Sequence, residues 1–480
     1  MSSDQNAAAP QTVRAPAPGS KVRVLLLTNR DSDNVGDQLI EASAISLIKG
    51  VMKTLGLPPR SYVIRSRAAG IISKAYLKSG NPALLKPARD AIASSDVIVF
   101  GGAPLFNYSY QMFYLRTIRT IELAQEYGIP VLFSSIGVEP FDDTNPKSLQ
   151  LKKALELPVV RQITTRDDLA SVEKYVEGTD IAIAHVSDPA VFADIIFAAS
   201  RPAPSQPMTV GGRLRRAIPA PLERAIRRLL GRPTPTRGSS VAPDSGRPQS
   251  PRKKQIGLVV TRAGIFKDNG IKFTLADQRS FWRDIIAELT ARGYDYSLFT
   301  TGHFADEAVL DLMVKSDGIP AAKAAVTVNS PEELHTQLSA CDGIIAFRLH
   351  ASIAAFAYGI PSIGLSWNFK VPYFYQSVGH HDRALDPSRW TATDVIPALE
   401  KAMKEGVTKD EAFLMSVYDT LFTGLKSIIT PDSKTTPWTY TQLQAQLPRY
   451  EGTSEKEYRE KVTRKLRRTY ENYRRVAYKS

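Results

Sequence analysis

The stretch "IIAFRLHASIAAFAYGIP" (344–361) places Arg348, Leu349 and His350 between an apolar run and a run of small residues. A guanidinium offers a bidentate fork to phosphate or carboxylate, and an imidazole titrates near neutrality and can deliver a proton. A hydrophobic core gains nothing from a cation at that place, whereas an anion-binding site does. Lys370, in "SWNFKVPYF", follows the next apolar run and adds positive charge. The first half carries matching groups. "NVGDQLI" supplies Asn34, Gly36 and Asp37. Gly36 permits a tight turn or a close ligand, and backbone N–H groups at a helix start favour an anion. Asp37 is a candidate base or an acceptor for sugar hydroxyls, and Asn34 or Asp37 equally suits a helix cap. Gly101 and Gly102 in "GGAPL" and Gly137 in "SSIGVEP" either admit a ligand to the backbone or serve a turn. Arg166 in "RDDLAS" is a second guanidinium at a strand end, and Asp188–Pro189 in "VSDPA" reads as a turn. No HExxH, GxSxG or P-loop pattern occurs.

These residues share one position in the pattern, just after a strand. Residues 22–28, "VRVLLLT", form a continuous β-branched and leucine run, the mark of a strand buried on both faces. Apolar residues from Leu39 to Val51 then keep helical spacing. Strands are predicted again at 96–102, 129–137, 162–167 and 180–188, and in the second half at 254–264, 294–302, 324–328, 341–347 and 361–367. Strand–helix alternation implies a mostly parallel sheet with helices on both faces. The chain therefore divides into a disordered lead (1–21), an α/β domain (22–200), a Pro/Arg-rich linker or insertion (201–254), a second α/β domain (255–430) and a C-terminal extension with a basic helix (431–480). In open parallel sheets ligands bind beyond the carboxyl ends of the strands, so the cleft between two such domains is the expected site.

The net charge of +14 is unevenly placed. Residues 201–254 hold thirteen Lys/Arg against two Asp/Glu, residues 454–480 ten against four, and the remainder sums to −3. Nucleic-acid enzymes carry their basic stripe on the folded surface, so no nucleic acid is expected. "APLERAIRRLLGRP" reads as a basic amphipathic segment, and the two basic attachments suit an anionic membrane surface. No apolar h-region opens the chain and no stretch approaches a membrane span, which points to a cytoplasmic protein, peripheral at the inner face of the membrane if those attachments bind it. The single cysteine, Cys341, leaves no intrachain disulfide and disfavours a thiolate zinc site.

Taken in order, "NVGDQLI", "DVIVFGGAPL", "IPVLFSSIG", "RDDLAS", "SDPAVF" and "CDGIIAFRLHASIAAFAYGIPSIGLSWNFK" resemble the polysaccharide pyruvyl transferase family over about 22–200 and 255–380. Where that family has a glycine triplet this chain has Gly101, Gly102 and Ala103. The resemblance implies two Rossmann-like doubly wound α/β domains facing a cleft, similar to GT-B glycosyltransferases. It implies transfer of pyruvate from phosphoenolpyruvate to two hydroxyls of a sugar, or of a lipid-linked oligosaccharide, giving a ketal. Arg166, Arg348 and His350 match positions implicated in binding the donor. On this reading His350 is the acid and Asp37 the base. Arg166, Arg348, Leu349, Asn34, Gly36, Gly101, Gly102, Gly137 and Lys370 meet the substrate, and neither a metal nor a cofactor beyond the donor is called for. A nucleotide-sugar glycosyltransferase of the same architecture and a non-catalytic partner in polysaccharide biosynthesis are the alternatives.

Overall fold

A computed structural model describes residues 19–109, 113–198 and 252–477. Most of the expected lead and most of the basic 201–254 segment, with its amphipathic stretch, lie outside the described residues.

The first domain is built on β1 (Val22–Thr28), β2 (Tyr62–Ala68), β3 (Val97–Gly101), β4 (Val131–Ile136), β5 (Val160–Thr165) and β6 (Ala182–His185). They pair in parallel in the order β2-β1-β3-β4-β5-β6. The second holds β7 (Gln255–Val259), β8 (Asp295–Phe299), β9 (Ala324–Ala325), β10 (Gly343–Ala346), β11 (Ser362–Leu365) and β12 (Ala384–Leu385). Their order is β12-β11-β10-β7-β8-β9, again parallel throughout. Both are doubly wound. The first reverses direction between β1 and β3 and the second between β7 and β10, and those are the points where such sheets bind ligands. Strands with both faces covered are apolar at nearly every position, as β3 and β10 are. The strand β2 went unpredicted because "YVIRSRA" is an edge strand with exposed arginines rather than an apolar run. At one edge of the second sheet, the predicted strand 324–328 contracts to the two residues of β9.

One apolar core runs through both domains. Leu39, Ile40 and Leu47 of the helix Val35–Thr54 share it with Ile353, Ala354 and Phe356 of the helix Leu349–Ala357. The helix Glu411–Ile429 is long and apolar enough to cross a membrane, but here it returns to the first domain and packs on β4 and β5. Gln162 donates to the Thr420 carbonyl at 3.1 Å, and Ser187 Oγ to that of Leu414 at 2.9 Å. The sequence had grouped this helix with the second domain.

The C-terminal helix Glu455–Ala477 is docked across both domains. Lys465 Nζ donates to Glu307 at 2.7 Å and to Asn329 Oδ1 at 2.6 Å in the second domain, and Arg468 pairs with Asp33 of the first at 2.9 Å. Part of the basic surface expected at 454–480 is thus spent inside the fold. Lys465 and Glu307 are both nearly fully buried. Burial pushes the Glu307 carboxyl up and Lys465 opposes it. Lys465→Met is expected to cost about 3 kcal/mol, because it strands a buried carboxylate. Without its cation the folded-state pKa of Glu307 lies further above the unfolded value. The deficit therefore grows as pH rises, and thermal unfolding at mildly acidic and neutral pH checks the sign.

Candidate active site

Beyond β1 the chain turns into the helix Val35–Thr54, whose N-cap is Asn34. Its Oδ1 accepts from the Gly36 N–H at 3.1 Å, and its Nδ2 lies 3.3 Å from His350 Nδ1 in the other domain. One side chain both caps the helix and joins the domains. With Nδ1 accepting, the neutral ring carries its proton on Nε2. That nitrogen is buried and has no hydrogen-bond partner among the described residues. A Cβ on Gly36 would sit 2.4 Å from His350 Cβ, so glycine is needed there for the imidazole to approach. The Val35 N–H donates to the Thr301 carbonyl at 2.6 Å, a second link across the cleft.

Each arginine is held by a buried carboxylate. Arg348 occupies the N-cap position of the helix Leu349–Ala357 and turns its guanidinium to Asp306, with Nε and Nη2 both at 2.7 Å. Asp306 is fully buried in the first turn of the helix that follows β8. Arg166, just beyond β5, pairs through Nη1 with Asp188, while its buried Nε has no partner among the described residues. Asp188 also caps the turn Pro189–Phe192 by accepting from the Ala190 N–H at 2.8 Å. The turn reading of "SDPA" therefore holds, and the same carboxylate anchors an arginine. The neighbouring strand end is unusual. Ser135, at a register shift in β4, adopts φ +53° and donates through Oγ to the Ser187 carbonyl at 2.9 Å.

The charges of the two domains act on one another. Burial pushes the His350 imidazole well below its ordinary value, and Arg166, Lys370 and Arg348 push it the same way. Burial raises the Asp37 carboxyl, against hydrogen bonds from Ser32 and Asn29 and the pull of both guanidiniums. Burial lowers the Lys370 ammonium, opposed most by Asp167 of the first domain. Asp167 is itself buried and raised, and accepts from the Val138 N–H at 3.0 Å. Three cations and an imidazole thus act on four carboxylic groups, Asp37, Asp167, Asp188 and Asp306, at the strand ends of both sheets.

Other expected contacts resolve differently. The Gly102 N–H donates to the Ser134 carbonyl at 3.0 Å and that of Gly137 to the Ala103 carbonyl at 2.9 Å, so neither is left for a phosphate. Gly102 adopts φ +60°, and a Cβ there would lie 2.3 Å from Ile40. Gly101 packs against Leu26 and Ala44, and Gly137 against Pro104. Turn geometry and helix packing account for these glycines. Leu349 packs against the interdomain core. Asp306, Asp188 and His303 were not singled out as parts of a site from the sequence. His303 N-caps the helix Phe304–Ser316, and burial foremost lowers its pKa to about 4, with Arg348 and Arg262 adding to the effect. Their only signal is the shared one, a polar residue just past a strand. Among the described residues no group of three His, Cys, Asp or Glu is disposed to hold a metal ion.

Two Rossmann-like domains with carboxylate-anchored arginines and a buried histidine at their facing strand ends define the class. The polysaccharide pyruvyl transferase signature matches residues 34–236 and 284–368, more than half the chain, and the chain belongs to that family. No curated protein matches significantly. Among solved structures, the chain is similar to a putative UDP-N-acetylglucosamine 2-epimerase from Listeria monocytogenes. The identity is 10%, the coverage 87% of this chain and 100% of the other, and the TM-score 0.48. It is also similar to the UDP-GlcNAc 2-epimerase of Methanocaldococcus jannaschii (13% identity, 84% and 98% covered, TM-score 0.44) and to a UDP-glucosyltransferase from Polygonum tinctorium (11%, 86% and 98%, 0.39). The fold assignment rests on the strand orders above.

Proposed function

We propose that the protein transfers the pyruvyl group of phosphoenolpyruvate onto two hydroxyls of a sugar, forming a ketal. The observation that carries this reading is the pair of arginines, one from each domain, each pre-oriented by a buried carboxylate. Phosphoenolpyruvate presents a phosphate and a carboxylate on one small frame. The Asp306 pair uses Nε and Nη2 of Arg348 and leaves Nη1, and the Asp188 pair leaves Nε of Arg166. Guanidiniums already fixed in place lose little entropy on gripping a ligand. Lys370 supplies a third positive charge.

His350 donates a proton from Nε2 to the methylene carbon, which makes the adjacent carbon electrophilic. A sugar hydroxyl attacks that carbon and gives its proton to Asp37. The C–O bond to phosphate breaks, the second hydroxyl closes the ring, and its proton leaves with the phosphate. In the free site His350 is neutral and Asp37 is raised. The donor's negative charges favour the imidazolium and offset the cations that suppress it. Binding at neutral pH is therefore expected to take up a proton, and affinity to fall as pH rises. Titration calorimetry in buffers of different ionisation enthalpy measures the uptake. His350→Gln should bind without it and lose turnover by about 100-fold or more.

Isothermal titration of phosphoenolpyruvate tests the donor directly. Binding to the wild type that is lost in Arg166→Lys supports the reading, and binding of a sugar nucleotide in its place overturns it. With a lipid-linked acceptor, the basic residues of 201–254 suit an anionic leaflet. Loss of liposome co-sedimentation on deleting them tests that contact.

A further inference from the structure

A cavity of about 560 Å³ lies beside this site and takes no part in it. Its walls are the chain after β1 and β2, one face of the helix Val35–Thr54, and the C-terminal helix. The C-terminal helix falls outside the residues that the family signature covers, so that wall belongs to this chain's own extension. Arg30, Arg67, Lys461 and Arg464 in the lining are matched by four carboxylates, Glu41 among them. Such balance disfavours a strongly anionic ligand. It suits a neutral molecule that both donates and accepts many hydrogen bonds, and the volume is that of a small-molecule site. Of the four cations Arg67 and Arg464 are exposed, whereas the Lys461 Nζ is buried and does not face the cavity. Glu41 opposite accepts from Ser66 Oγ at 2.5 Å and lies 3.4 Å from Arg30.

We propose that this cavity binds a sugar unit of the acceptor glycan, with Arg67 and Arg464 donating to its oxygens and Glu41 accepting from its hydroxyls. Gln38 in the lining follows Asp37 on the same helix. The word "acceptor" rests on the pyruvyl-transfer reading, whereas the carbohydrate chemistry of the cavity does not.

Saturation-transfer NMR on the full chain, with the methyl glycosides of glucose, galactose, mannose and N-acetylglucosamine, tests it. At least one should receive saturation from the wild type. The signal should vanish in Arg67→Met and in Ala42→Phe, which places a ring in the cavity. Ala42→Phe should still bind phosphoenolpyruvate by calorimetry, which also reports an intact fold. No signal from any of the four, or one that survives both substitutions, overturns the proposal. So does binding of inorganic pyrophosphate that Arg67→Met abolishes. Glycoside binding without phosphoenolpyruvate binding would remove the pyruvyl donor and leave the sugar site standing.

Discussion

Arg348→Ala is expected to abolish phosphoenolpyruvate binding and to destabilise the protein at the same time. The reason lies behind the arginine rather than in front of it. Asp306 is fully buried, and both its oxygens accept from this guanidinium at 2.7 Å. Removing the cation strands that carboxylate, at a cost of about 3–5 kcal/mol. A binding defect in this variant is therefore ambiguous until the fold is checked. Arg348→Lys separates the effects. It keeps a positive charge against Asp306 and loses the planar fork, so it should unfold near the wild-type temperature and still bind the donor poorly. Calorimetric titration and thermal unfolding of both variants decide. A stable alanine variant with full affinity would contradict the assignment of Arg348 to the donor.

Gly36→Ala is expected to lower turnover by about 100-fold while leaving each domain folded, because a displacement of about 1 Å at a reacting group costs that much. The added methyl would sit 2.4 Å from His350 Cβ, Cγ and nearly as close to Nδ1, well inside contact distance. Only a shift of the two strand ends relieves it. That shift breaks the 3.3 Å contact between Asn34 and His350, which sets the tautomer. Steady-state kinetics beside circular dichroism checks the result: turnover should fall with the spectrum unchanged.

The two expected results mark what kind of information lay in the sequence. Both sheets were legible, because strands covered on both faces must be apolar at nearly every position and the helices between them carry their own period. The site residues were legible by position, since an arginine or histidine just past a buried strand has no packing reason to be there. Arg166, Arg348, His350, Asn34, Gly36, Asp37 and Lys370 were singled out in this way. The anchors Asp306 and Asp188 were not, because an aspartate in the first turn of a helix looks the same whether it caps that helix or holds a guanidinium from another strand. The glycines at 101, 102 and 137 looked like ligand contacts for the same reason: a glycine's sequence says that space is short, not what fills it.

The sequence by itself therefore determined the two doubly wound domains, the family and the chemical groups at the strand ends, all of which follow from local period and residue type. Only the tertiary structure decided which groups face each other. The pairing of Arg348 with Asp306, the depressed imidazole of His350, the return of the helix Glu411–Ile429 to the first domain and the burial of Lys461 and Lys465 all depend on contacts between residues far apart in the chain. Such contacts leave no period, and burial shifts a charge according to the whole fold around it.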